Sequence, residues 1–130
     1  MDKSCRIKVL LVDDSSTIRK WVRAEVESNS QLEVVGEAGS GEEALEQARR
    51  LQPDLVLMDI GLPGMNGLEA TRRLRAEWPA LKVVILTIHS DPEYALQARR
   101  WGACGYLLKT AASLELASAL QAVQRGEEVF

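Results

Sequence analysis

Apolar residues fall along the chain in two alternating patterns. Short runs open each unit: Ile7–Val12, Leu32–Ala38, Leu55–Met58, Lys82–Leu86 and Gly105–Leu108. Most are continuous and rich in β-branched residues, as strands covered on both faces are. Between them, apolar positions recur at helical spacing. Ile18, Trp21, Val22 and Val26 share a face of a first helix, and Ala44, Ala48 and Leu51 a face of a second. Leu116, Leu120 and Val123 share a face of a last helix, from about Ser113 to Arg125. Ser15 or Ser16 can cap the first helix, and Ser40-Gly41-Glu42-Glu43 has capping-box spacing before the second. Gln52-Pro53-Asp54 stops that second helix, because proline cannot continue one. A third runs from about Leu68 to Trp78 and ends at Pro79; a fourth starts at Ser90-Asp91-Pro92-Glu93 and ends at Gly102. Glu33 and Glu37 make the second strand less apolar, as at a sheet edge.

Five strand–helix units imply an α/β fold: a doubly wound, five-stranded parallel sheet with five helices on its two faces. The flavodoxin-like strand order 2-1-3-4-5 is the expected one. With 130 residues the chain fits a single domain, residues 1–130, with its core over about 7–125. A composition of 46% hydrophobic and 27% charged residues is ordinary for a globular protein. The net charge of −3 and the lack of a basic run argue against nucleic-acid contact by this domain. No apolar stretch approaches a membrane span, and the N-terminus lacks the apolar segment of a signal peptide. Cys5 and Cys104 have neither metal-ligand nor redox-motif spacing, so they read as reduced thiols of a cytoplasmic protein, Cys104 packed beside a strand.

In such a sheet all strand carboxyl ends lie on one edge, and ligands bind where the strand order reverses. The residues there are Asp13 and Asp14, Asp59, Thr87 and Lys109. Asp59 alone reads first as a turn residue, since Pro63 and three glycines follow it. Asp13-Asp14 alone reads as a helix start, Lys109 as a surface lysine and Thr87 as a strand residue. Together they are costly. Two like charges about 4 Å apart repel by roughly 4 kcal/mol at an effective dielectric near 20. Three carboxylates against one ammonium leave −2, which a divalent cation cancels. Carboxylates, carbonyls and water suit magnesium, which usually meets a phosphate. Metal, ammonium and hydroxyl can then serve phosphoryl oxygens, and a carboxylate can be the nucleophile that forms an aspartyl-phosphate.

These residues carry a resemblance. Val12-Asp13-Asp14, Met58-Asp59-Ile60 with Pro63 and Gly67, Leu86-Thr87 and Tyr106-Leu107-Leu108-Lys109, in this order and spacing, resemble the response-regulator receiver domain of bacterial two-component signalling. The likeness covers Ile7 to about Arg125. It implies that Asp59 accepts a phosphoryl group from a sensor histidine kinase, in a domain that catalyses its own phosphorylation and dephosphorylation. It implies Mg2+ held by Asp14, Asp59 and the Gly61 backbone carbonyl, with Asp13 acting through water, and Lys109 paired with the phosphoryl group. It implies that Thr87 and Tyr106 form a switch reporting to the face made by the fourth helix, fifth strand and fifth helix. Tyr106 reads equally well as packing. Two departures stand out. Thr110 replaces a common proline and resembles the branch carrying a LuxR-type helix-turn-helix. Ile88 replaces a smaller residue and would narrow the approach to Asp59.

Other readings compete. Gly39-Ser40-Gly41-Glu42-Glu43-Ala44 fits the dinucleotide fingerprint of a Rossmann-type binder, with Asp59 lying 20 residues beyond Gly39. Glu42 and Glu43 would then face a pyrophosphate, and Asp13, Asp14, Thr87 and Lys109 would have no role. A phosphatase of the haloacid dehalogenase type wants a second Asp where Gly61 stands. His89 reads as a solvated loop residue, and Trp21, Trp78 and Trp101 as packing residues. Beyond Gly126, a helix stop, Val129-Phe130 leaves two large apolar residues past the last element. Residues 126–130 resemble the start of a linker to a DNA-binding output domain. Phosphorylation would then control homodimerisation or release of that domain. The alternative is a stand-alone receiver that docks on another protein.

Overall fold

Parallel strands with both faces covered need apolar residues at successive positions, and the five runs supply them. In the computed structural model, which describes residues 6–88, 92–109 and 112–130 (of 112–115 the backbone only), they form one sheet. The strands are β1 (Ile7–Val12), β2 (Leu32–Ala38), β3 (Leu55–Met58), β4 (Lys82–Thr87) and β5 (Gly105–Leu108). The order is β2-β1-β3-β4-β5, and every pairing is parallel. The expected flavodoxin-like order is therefore the observed one. The helices are α1 (Ser16–Glu27), α2 (Gly41–Leu51), α3 (Gly67–Glu77), α4 (Pro92–Arg100) and α5 (Ala112–Gln124). Side chains alternate between the two faces of each strand, so one sheet builds two cores. Leu10, Val12, Val56, Met58, Val83 and Ile85 pack with Ala44, Ala48, Leu68, Leu74 and Ala98 of α2, α3 and α4. On the other face, Val9, Leu11, Leu55, Leu57, Val84 and Leu86 pack with Val22, Val26, Leu116, Leu120 and Val123 of α1 and α5.

Helix ends follow local chemistry. The hydroxyls of Ser15 and Ser40 accept from the amides of Ile18 (3.2 Å) and Glu43 (3.1 Å). The Asn66 side chain accepts from Glu69 at 2.9 Å. In the capping box of α2, the Glu43 carboxylate reaches past Ser40 to the Gly39 amide, at 2.6 Å. Ser90 and Asp91, expected to open the fourth helix, lie outside the described residues, as do Cys5, His89 and Thr110.

Two expectations are corrected. Trp21 is 36% exposed rather than packed with Ile18, Val22 and Val26. Those three form the i, i+4, i+8 row that meets the sheet, and Trp21 sits on its flank, outside the core cluster they join. Trp78 and Trp101 do pack against the core. The second correction concerns the end of the chain. It turns at Gly126, where φ is 99°, and comes back beside β5. Val129 forms a parallel bridge with Gly105 and packs on the α1/α5 side of the core. The Tyr106 amide donates to the Val129 carbonyl at 2.8 Å, and the Val129 amide to the Cys104 carbonyl at 3.1 Å. Phe130 lies under the Arg99 guanidinium, 4.3 Å from ring centroid to Cζ. Residues 129 and 130 are thus tied to β5 and α4 rather than left over past the last element.

Candidate functional site

The strand order reverses between β1 and β3, and the residues just past those strands are Asp13, Asp14 and Asp59. Backbone bonds set their height. The Asp59 amide donates to the Val12 carbonyl at 3.0 Å, and the Asp13 amide to the Ala38 carbonyl at 3.0 Å. One carboxylate oxygen from each of the three aspartates lies within 4.8 Å of the others. Lys109, one residue beyond β5, is placed by its own amide donating to the Thr87 carbonyl at 2.7 Å. Its ammonium sits 2.8 Å from Asp13 Oδ2 and 3.7 Å from Asp59 Oδ1. All four charged residues meet at one edge.

The three carboxylates differ in what holds them. Asp13 is buried, and both its oxygens are engaged: Oδ1 by the Ser15 amide at 2.9 Å and Oδ2 by Lys109. Asp14 is exposed, and among the described residues nothing hydrogen-bonds its carboxylate. Asp59 stands between these extremes. Burial raises its pKa above the ordinary value, and the charge of Asp13 pushes the same way. Lys109 and the Gly61 amide oppose this without cancelling it, and Asp14 adds a smaller upward push. A cluster of hard, anionic oxygens with one member unpaired suits a magnesium-sized cation.

Thr87 ends β4 fully buried, two residues from the register pair Ile85–Tyr106. Tyr106 is half-buried and packs on the α2–α4 side of the core. Ile88 is 69% exposed. The dinucleotide-like turn at Gly39–Gly41 follows the edge strand β2, away from the reversal point. Gly41 faces Met65, whose carbonyl would lie 2.9 Å from an added Cβ.

Two residues do more than the sequence reading assigns to them. An added Cβ on Gly67 would lie 2.1 Å from the Asp59 carbonyl oxygen, because the first turn of α3 rests on the backbone of Asp59 and Ile60. The Gly67 amide also donates to the Ile60 carbonyl at 3.0 Å. Gly67→Ala is therefore expected to lower stability by about 2–3 kcal/mol, since neither backbone can yield cheaply. Urea denaturation measures this; a wild-type midpoint would show that α3 can slide without disturbing Asp59. The other residue is Arg19 on α1. It donates to the Asp13 carbonyl and, at 2.8 Å, to Glu37 at the end of β2. With Leu11, Asp13, Leu57, Asp59 and Leu86 it lines a small cavity behind the carboxylates. Glu37 lies 18 residues from Arg19 in sequence, so no local pattern announces the pair.

Comparisons with known proteins converge. A family model described as the response regulator receiver domain matches residues 9–121. The response regulator protein VraR of Staphylococcus aureus is 40% identical over 124 residues, covering 95% of this chain and 59% of that protein. The chain thus spans about three-fifths of the length of the curated relatives it matches. A two-component response regulator of the LuxR family from Aurantimonas sp. superposes with a TM-score of 0.93 at 36% identity, covering 96% of this chain and 89% of that one. The receiver domain of the putative response regulator NarL from Mycobacterium tuberculosis superposes with a TM-score of 0.89 at 30% identity, covering 94% and 98%.

Proposed function

Since the chain belongs to the response-regulator receiver family, we propose that Asp59 is its phosphoacceptor, charged by a sensor histidine kinase in a magnesium-dependent step. The observation that carries this is the gathering of Asp13, Asp14, Asp59 and Lys109 at the reversal point of the sheet. A carboxylate oxygen of Asp59 attacks phosphorus, the bond from phosphorus to the donor's histidine nitrogen breaks, and that nitrogen leaves with its electron pair. An acyl phosphate results. Burial and the repulsion of Asp13 make the Asp59 anion less comfortable before transfer. Lys109, already shared between Asp13 and Asp59, is within reach of the oxygens that arrive.

Asp14 and Asp59 would hold Mg2+ directly, with the Gly61 backbone carbonyl as third protein ligand and Asp13 acting through water. The engagement of both Asp13 oxygens and the freedom of Asp14 support that division. When bound, the cation neutralises charge on the transferring phosphoryl group. The same groups serve the hydrolysis that resets the domain. Thr87 donates its hydroxyl to the new phosphoryl, and Tyr106 responds, so the change reaches the face of α4, β5 and α5.

The whole-protein reading extends further. Residues 1–130 act as one receiver domain in the cytoplasm, and residues 126–130 lead to a DNA-binding output domain. Phosphorylation then governs homodimerisation or release of that domain. A receiver that works alone by docking on another protein is the second reading, favoured by the exposed Leu96 on α4 beside Phe130. Intact-mass measurement after incubation with acetyl phosphate tests the central claim. One phosphoryl group is expected with magnesium and none with EDTA. Equal labelling in both would overturn the magnesium-dependent reading.

A further inference from the structure

Asp13 is the residue at which the ladder of β1 ends, and its carbonyl is taken up by a side chain: Nη1 of Arg19. The Arg19 side chain is only 19% exposed, and its Nε is held by Glu37 Oε1 at 2.8 Å. The second oxygen of Glu37 holds Arg23 at 2.7 Å. Glu37 is thus an anchor on the edge strand, and α1 is braced to it twice. Of these two arginines, Arg19 is the one that reaches on from the anchor to the site. The carbonyl it grips belongs to the peptide joining Asp13 to Asp14. Ser15 and Lys109 already fix the Asp13 carboxylate. For Asp14, whose carboxylate has no hydrogen-bond partner among the described residues, the orientation of that peptide determines where the side chain departs.

We infer that Arg19, anchored by Glu37, is a positioning residue that aims the Asp14 carboxylate at the point shared with Asp59, and so sets the affinity for Mg2+. The inference rests on the magnesium reading above. Its effect is geometric rather than a matter of net charge. Arg19 and Arg23 are matched by Glu37 and by Glu27, which lies 3.7 Å from Arg23, so the brace brings the aspartates no surplus positive charge. A planar guanidinium can grip the Asp13 carbonyl and Glu37 at once with separate nitrogens, and an ammonium lacks that fork. Groups that orient metal ligands from behind typically change affinity on the order of tenfold or more when removed.

The test is a Mg2+ titration followed by the amide shifts of Asp14 and Gly61, with thermal melts of each protein alongside. Arg19→Gln is expected to bind on the order of tenfold more weakly than wild type. Its Asp13 and Asp14 amide shifts should already differ in the metal-free state. Arg19→Lys should bind weakly as well, despite retaining the charge. Glu37→Gln should weaken binding in the same direction, and Arg19→Gln/Glu37→Gln should be no worse than Arg19→Gln alone. Arg23→Gln loses an ion pair to the same anchor without touching Asp13, and should bind as wild type does. Wild-type affinity in Arg19→Gln, or an equal loss in Arg23→Gln, overturns the inference while leaving the magnesium reading standing. A wild type with no magnesium response overturns both.

Discussion

Asp59→Asn is expected to take up no phosphoryl group from acetyl phosphate and, with magnesium chelated at neutral pH, to melt above the wild type. The first half follows from chemistry, since an amide oxygen is too poor a nucleophile to replace a carboxylate. The second half follows from linkage. Burial first, and then the neighbouring Asp13, hold the Asp59 carboxyl above its ordinary value of 3.8. The folded protein therefore keeps this proton over a pH interval in which the unfolded chain has lost it. Where the folded state binds more protons, stability falls as pH rises. The destabilisation begins near the unfolded value, grows through the raised folded value and is complete above it. Asn carries no such burden. The gap between mutant and wild type should be full at neutral pH and close as pH falls below about 3.8. Thermal melts in EDTA across pH measure it. A mutant that melts below wild type at neutral pH would mean that the Asp59 ion pair with Lys109 outweighs burial and repulsion.

Lys109→Met should be the most damaging single change at the site. Methionine keeps an apolar stem of similar length, so the substitution removes charge more than packing. The ammonium, 2.8 Å from Asp13 and 3.7 Å from Asp59, is itself only 13% exposed, and Asp13 is buried. Removing one partner of a buried pair leaves the other charge uncompensated, which typically costs about 3 kcal/mol or more. The mutant should lose about that much stability in EDTA and recover part of it in magnesium, because a ligand at 100 times its Kd stabilises by about 2.7 kcal/mol. It should also lose phosphoryl uptake at a magnesium concentration that saturates the site. Urea midpoints in EDTA and in magnesium measure the first two effects. Wild-type stability in EDTA would show that the carboxylates tolerate one another without the lysine.

Much of this architecture was legible because it is written locally. Ser15 and Ser40 cap helices through bonds that span three residues. The apolar runs announce strands, and a general rule about parallel sheets then gathers Asp13, Asp14, Asp59, Thr87 and Lys109 at one edge. What escaped is what depends on distant partners. Trp21 satisfies the helical spacing, yet it lies on the flank of the row and outside the core. Gly67 belongs to the motif around Asp59, yet why that position needs a glycine appears only when the start of α3 is seen resting on Asp59. Arg19 looks like any polar residue on an amphipathic helix, and only the placement of β2 beside β1 brings Glu37 to it. The return of Val129 to β5 is hidden because a single bridge has no periodicity to detect.

That return also bears on how the sheet meets other molecules of its own kind. An open sheet has two outer strands, and each offers unpaired backbone groups on which a foreign strand could grow. Here the two margins are guarded by different means. The margin at β2 carries Glu33, whose charge discourages a neighbouring strand, while the charge of Glu37 is taken up by Arg19 and Arg23. The margin at β5 is a four-residue run of glycine, tyrosine and two leucines, with no charge to repel anything. Its protection is the backbone of Val129, which occupies the Tyr106 amide and the Cys104 carbonyl before a stranger can. The last few residues thus act as a built-in stopper against adhesion, and a chain shortened ahead of them would present its most adhesive margin bare.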